Sequence, residues 1–219
     1  MEAPLLKTTN LEFEVDGKTI LKGITLTIEK GDFLTITGPS GSGKSTLLKI
    51  IASMLSPTEG KLCYQNKPVE EYEPTDYRKE VSYCFQTATL FWETVKDNLT
   101  FPYDIRNQPF NEKKALSALK SVGLGKEYLT KSVHALSGGE KQRVALIRNI
   151  LFMPKVLLLD EVTSALDEEN QTIIRSLIRN LNQEQGITIV WVTHNTVEIQ
   201  SSNRIVNLVN GEMEEPKWT

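Results

Sequence analysis

The chain has 219 residues, 39% of them hydrophobic, enough for one α/β domain with a full core or one domain carrying a subdomain. Lys and Arg total 25 against 28 Asp and Glu, and this net charge of −3 argues against nucleic acid as the main partner, since a long phosphate footprint needs a basic face. The two cysteines, Cys63 and Cys84, lie in apolar strand-like runs, give neither a disulfide framework nor a metal spacing, and are expected to be reduced core residues.

Residues Met1 to Lys7 lack the charged-then-apolar build of a signal peptide. No apolar stretch approaches the ~18 residues of a membrane span. The longest candidate, Leu47 to Leu55, is short and broken by Lys49. A cytosolic chain is expected, with any membrane-spanning part on a separate polypeptide.

In chain order, Leu11 to Val15 alternates like a half-exposed strand, Asp16-Gly17 signals a turn, and Thr25 to Ile28 alternates again. That pattern predicts an antiparallel hairpin. Phe33 to Thr37 is a strand running into a glycine-rich loop, and Ser45 to Leu55 has helical spacing. Val81 to Phe85 reads as a strand ending at Gln86. From about Thr94 to Phe152 the periodicity is helical, with Ala115, Leu116, Leu119 and Val122 on one stripe. Val156 to Leu159 returns to strand. Glu168 to Leu181 is a helix with Ile173, Ile174, Leu177, Ile178 and Leu181 on one face. The near-continuous apolar run Ile187 to Val192 suits a central strand buried on both faces. Strands on either side of a helical insert predict one domain over 1–219: an α/β fold with a parallel-sheet core, an antiparallel β subdomain, and an α-helical subdomain at about 87–152.

Three segments carry chemistry. Gly38-Pro39-Ser40-Gly41-Ser42-Gly43-Lys44-Ser45-Thr46 fits the phosphate-cradling pattern G-x-x-x-x-G-K-[ST], in the strand–loop–helix context the pattern requires. Its glycines let backbone N–H groups face phosphate oxygens, and the helix start adds its positive end. Lys44 supplies a mobile charge for the β/γ oxygens, Ser45 a hydroxyl for Mg²⁺, and Thr46 a contact to the α-phosphate. Asp160 and Glu161 end a buried strand, at the usual ligand crevice of an open α/β sheet. Asp160 is placed to hold the metal, directly or through water. Glu161 is placed to take a proton from an attacking water or to orient it, the alternative being a mere cap for the next segment. Leu136-Ser137-Gly138-Gly139-Glu140 precedes a helix running to about Phe152. Capping explains Ser137 but not two consecutive glycines, which weaken a helix start.

In this order the three segments resemble the ATP-binding-cassette (ABC) family, within the P-loop NTPase (RecA-like) fold, over nearly the whole chain. The resemblance implies that residues 136–140 face the γ-phosphate of ATP held by an opposite copy, so that a homodimer sandwiches two nucleotides head to tail. It implies further that Gln86 is the Q-loop glutamine, contacting Mg²⁺ or the attacking water, and that Asp167, in Ser164-Ala165-Leu166-Asp167, belongs to the D-loop at the dimer contact. Asp167 also suits the N-cap of the helix at Glu168. His194 matches the switch histidine that reaches the γ-phosphate; His134 has no such context. Val15 stands where most members stack an aromatic on adenine, with Phe13 two residues away on the same strand face. Val162 replaces the usual proline after the glutamate.

A finer resemblance is to the ATP-binding subunits of Fet-type bacterial iron exporters, over Leu47 to Gly60, Val81 to Gln108, Leu146 to Asp167 and Trp191 to His194. It implies export of iron or another metal through a separate integral membrane permease, on whose cytoplasmic face this chain sits peripherally. Thr87 to Phe101, with Leu90, Phe91 and Trp92, is where family members receive a coupling helix, the alternative being that these apolar residues fill the helical subdomain. Within transport, an importer or a lipoprotein or peptide exporter is the other reading. The stretch between loop and signature is too short for the coiled coil or zinc insert of a DNA-repair ATPase, and one cassette does not make a two-cassette translation factor.

Overall fold

The computed structural model describes residues 3–214, so two of the seven residues read against a signal peptide lie outside the described residues. The chain forms β1 (Leu6–Val15), β2 (Lys18–Ile28), β3 (Phe33–Thr37), α1 (Lys44–Ile51), β4 (Glu59–Tyr64), β5 (Lys67–Pro68), α2 (Pro74–Glu80) and β6 (Val81–Cys84). It continues with α3 (Val95–Asp104), α4 (Glu112–Ser121), α5 (Gly138–Ile150), β7 (Val156–Asp160), α6 (Glu168–Gln183), β8 (Thr188–Val192), α7 (Thr196–Ile199), β9 (Arg204–Val209) and β10 (Glu212–Glu214).

The strands form two sheets. β2-β1-β4-β5 is antiparallel, and its β1–β2 hairpin turns at Asp16 and Gly17, both with positive φ (51° and 72°). Both central residues left-handed is the two-residue turn whose twist matches the flanking strands. The second sheet runs β10-β9-β3-β8-β7-β6, parallel except for the edge strand β10. β8 lies at its centre with every residue buried, as its unbroken apolar run requires. Its side chains alternate between two cores. Val190 and Val192 join Leu34, Ile36, Val156 and Leu158 against α1 and the antiparallel sheet; Ile189 and Trp191 join Leu157 and Leu159 against α3 to α6.

Several boundaries differ from the sequence expectation. α1 ends at Ile51, not Leu55, because Ser53 turns left-handed (φ 55°) and the Met54 and Ser53 amides donate to the Lys49 and Ile50 carbonyls, at 2.8 and 2.9 Å. That is the Schellman closure, here on serine rather than glycine. β6 stops at Cys84, leaving Phe85 exposed. The expected helical stretch 94–152 is three helices, with short 3-10 turns at Lys126–Thr130 and Val133–Ala135. α3 starts on a capping box between Thr94 and Asp97. Cys84 is buried, which pushes its thiol up to about 12, but Cys63 is half-buried rather than a core residue. No helix among the described residues is long and apolar enough to cross a membrane.

Candidate active site

The carboxyl ends of β3, β8, β7 and β6 come level, since Ile36 pairs with Val192, Val192 with Asp160, and Leu159 with Cys84. Residues 38–43, Gln86, Asp160, Glu161 and His194 therefore leave the sheet at one edge, where open α/β sheets bind ligands. The loop is held tightly. Gly38 has φ 136°, and a Cβ there would lie 2.0 Å from the Leu208 carbonyl oxygen on β9, so only glycine fits. Pro39, Ser40 and Gly41 are exposed at the tip, and Gly43, also left-handed, caps α1.

Lys44 is 5% exposed, and its Nζ donates to the Gly38 and Pro39 carbonyls at 2.8 and 2.7 Å. Burial lowers its pKa, opposed by the negative charges of Glu161 and Asp160. Thr46 is half-buried beside it, and the buried Ser42 hydroxyl has no hydrogen-bond partner among the described residues. Ser45 Oγ donates to Asp160 Oδ1 at 2.9 Å, while Tyr83 OH donates to Asp160 Oδ2 at 2.6 Å. A hydroxyl and a buried carboxylate side by side form an all-oxygen donor set, which fits Mg²⁺, an ion that takes its other ligands from phosphate and water.

Glu161 has φ 47°, the left-handed region that a glutamate rarely occupies. Its amide donates to the Val192 carbonyl, and its own carbonyl accepts from the Ser164 amide and hydroxyl. This turn aims the carboxylate across the sheet edge. Gln86 Nε2 donates to Glu161 Oε2 at 3.0 Å, and His194 Nε2 lies 3.2 Å from Glu161 Oε1. Three expected site residues thus meet at one carboxylate.

Residues 136–140 are built separately. Ser137 Oγ accepts from the Glu140 amide at 3.2 Å, and Glu140 Oε2 accepts from the Ser137 amide at 2.7 Å, a complete capping box. Glu140 also accepts from Tyr128 OH and lies 3.6 Å from Lys131 Nζ. The Tyr128 hydrogen bond above all holds its carboxyl below the usual carboxylate range. The two glycines differ. A Cβ on Gly139 would meet the Asn170 side chain at 2.7 Å, and Asn170 is bonded to Asp167 at the start of α6; a Cβ on Gly138 would meet nothing within 4 Å. Gly139 is therefore explained within the chain and Gly138 is not. Among the described residues no hydrogen bond or ion pair joins 136–140 to 38–46.

Phe13 is half-buried and packed on the core, whereas Val15 is 46% exposed, so Phe13 does not stand free in place of the usual aromatic. Leu90 packs on the helical core, but Phe91 and Trp92 are 39% and 58% exposed. Both rings pack against Phe101, which lines a groove of about 750 Å³ together with Phe85, Arg106 and Arg148. Filling the helical part explains only Leu90. His134 is exposed on its 3-10 turn. Sequence reasoning missed the role of Tyr83, a hydroxyl-bearing aromatic in the strand next to the Asp160 strand, and the contact Ser164 makes within its own chain, where it accepts from Gln86 at 3.4 Å.

The sheet, the loop and the carboxylates at its mouth define a nucleoside-triphosphate-binding protein of the phosphate-loop class. The family model described as "ABC transporter" matches residues 21–164. The "Probable iron export ATP-binding protein FetA" of Escherichia coli (strain K12) is 47% identical over 218 residues, 99% of this chain and 97% of that protein. The "Spermidine/putrescine import ATP-binding protein PotA" of Spiroplasma citri is 38% identical over 98% of this chain and 62% of its own length. A solved dimeric structure of the ATP-binding cassette MJ0796 in a post-hydrolysis state, bound to ADP and Pi, superposes with a TM-score of 0.85 at 34% identity, over 96% of this chain and 97% of that one. The chain belongs to the ABC transporter family, as an ATP-binding, ATP-hydrolysing subunit.

Proposed function

We propose that two copies of this chain close head to tail on two ATP molecules, and that hydrolysis drives export of iron or another metal through a separate membrane permease. The observation that carries the composite site is the separation of two half-sites within one chain. Gln86, Glu161 and His194 converge beside the phosphate loop, whereas Ser137 to Glu140 stand apart with Gly138 open. That pattern suits a helix start offering its N–H groups to a phosphate on another copy. Asp167 and the loop before it would lie at the same contact.

In this reading the loop amides and Lys44 hold the β- and γ-phosphates, and Thr46 the α-phosphate. Ser45 and Asp160 would hold Mg²⁺, with Gln86 near it, and the bound ion would neutralise charge on the phosphate oxygens. Glu161 accepts the proton of the water that attacks the γ-phosphorus, or orients that water, as the bond to the β,γ-bridging oxygen breaks and ADP leaves, and His194 and Gln86 fix the carboxylate while reaching the γ-phosphate side. Tyr83 orients Asp160. Tyr83→Phe keeps the ring and removes the hydroxyl, so the Mg²⁺ concentration for half-maximal turnover should rise about tenfold, as when the outer partner of a ligand is lost. An unchanged Mg²⁺ titration would remove Tyr83 from the site.

The groove beside Phe91 and Trp92 is the proposed seat of the permease's coupling helix, and residues 87–152 the subdomain that carries the motion to it. The chain would then lie peripherally on the cytoplasmic face of the membrane. Metal export is supported by the 47% identity, end to end, with the Escherichia coli protein. Deleting the gene should raise cellular iron and sensitivity to iron with peroxide, and a Glu161→Gln copy should restore neither. The likeness to the polyamine importer subunit favours a second reading, an importer cassette. Unchanged metal content under iron, manganese and zinc challenge would remove the metal-export reading and leave a cassette of unknown cargo.

A further inference from the structure

Glu198 has no exposed surface, and no described Lys, Arg or His pairs with it. An uncompensated carboxylate in an interior is expensive, and nothing in hydrophobic packing asks for one. Its place in the fold suggests the reason. Thr163 Oγ1 donates to Glu198 Oε1 at 2.6 Å, and Thr193 Oγ1 donates to Oε2. Both threonines are buried. Thr163 stands two residues after Glu161, and Thr193 immediately before His194. Each oxygen of one carboxylate therefore holds one of the two segments whose side chains meet at the 3.2 Å contact between Glu161 and His194.

Both threonine hydroxyls donate to the Glu198 carboxyl group, one to each oxygen, which fixes both rotamers. The Thr193 oxygen is then free to accept from the Asn195 amide, at 3.0 Å, so the backbone is pinned on both sides of His194. Asn195 in turn caps α7, the helix that carries Glu198, through the Val197 amide at 2.9 Å. The circuit is closed. It ties the switch-histidine loop and the loop after Asp160 to one buried point.

We propose that Glu198 is a positioning residue for hydrolysis, setting the geometry of Glu161 and His194 through Thr163 and Thr193 without touching the nucleotide. This rests on the reading that Glu161 and His194 act on ATP. Glu198→Ala should lower kcat about 30-fold, the scale on which misplacing a reacting group by a fraction of an ångström acts, with the KM for ATP changed less than about twofold. Glu198→Gln keeps the shape and one acceptor oxygen and should recover to within about threefold of wild type.

The deciding experiment is a double-mutant cycle on full-length protein, measured at concentrations that saturate the ATP-dependent rate. His194→Ala alone should cost about 100-fold. The double variant Glu198→Ala/His194→Ala should lose far less than the product of the two single losses, staying within about threefold of His194→Ala, because the arm through Thr193 acts on the residue already removed and only the arm through Thr163 to Glu161 remains. If the two losses multiply, or if Glu198→Ala weakens nucleotide binding as much as it lowers kcat, Glu198 is structural only and the proposal fails. Should Glu198→Ala not fold, Thr193→Val replaces it in the same cycle, with the same non-additivity expected. A wild-type rate for His194→Ala would instead overturn the functional reading itself, and the positioning role with it.

Discussion

Glu161→Gln is expected to lower ATP turnover about 1000-fold while leaving the affinity for Mg-ATP within a few fold of wild type. The amide has the size of the carboxylate and keeps an acceptor for Gln86, which donates at 3.0 Å. It cannot accept a proton from water. The left-handed turn at residue 161 is held by backbone bonds to Val192 and Ser164, which the substitution does not touch. The fold should therefore be unchanged, and Tm with it. Lys44→Ala should fail earlier: removing the ammonium weakens the grip on the β- and γ-phosphates, so binding falls along with turnover. Phosphate release beside equilibrium nucleotide binding separates the two variants. Hydrolysis by Glu161→Gln near the wild-type rate would show that another group serves as base.

The second large effect is a gain. Chains bearing Lys44→Ala and chains bearing Gly138→Asp should each be inactive, yet their equimolar mixture should recover roughly a quarter of wild-type activity, since half the dimers are mixed and one of their two sites is intact. Gly138→Asp suits this test because a side chain there meets nothing within 4 Å in its own chain. Its effect must come from what approaches from outside, where the added carboxylate repels a γ-phosphate. Gly139→Asp would not serve, because a side chain there strikes Asn170 and perturbs the start of α6. Absence of recovery, with mixed dimers demonstrated, would contradict the head-to-tail arrangement.

Much of the site was readable because its chemistry is local. The phosphate loop needs glycines at fixed offsets between a strand and a helix, and Asp160 and Glu161 come after an apolar run that can only be a buried strand. The central sheet was equally plain wherever both faces are covered, as in β7 and β8. What escaped depends on contacts between distant segments. Tyr83 and Asp160 are 77 positions apart, and Thr163 and Glu198 are 35 apart; no window along the chain joins them. Nor does spacing distinguish Gly138 from Gly139, since the difference lies in Asn170 on another helix. The missed end of α1 has a local cause: Ser53 takes the left-handed position where glycine would have announced the stop. The C-terminal hairpin carried its signal, Asn210-Gly211 with both φ positive, between runs too short to stand out.

The composite site itself is tested most directly by the mass of Glu161→Gln in solution, measured by light scattering with and without Mg-ATP. Without nucleotide the mass of one chain is expected, because among the described residues nothing joins 136–140 to the phosphate loop. With Mg-ATP the mass of two chains is expected, and adding Gly138→Asp to the same chain should return it to one. A stable pair without nucleotide, or a single chain at saturating Mg-ATP, would contradict a site completed across two copies.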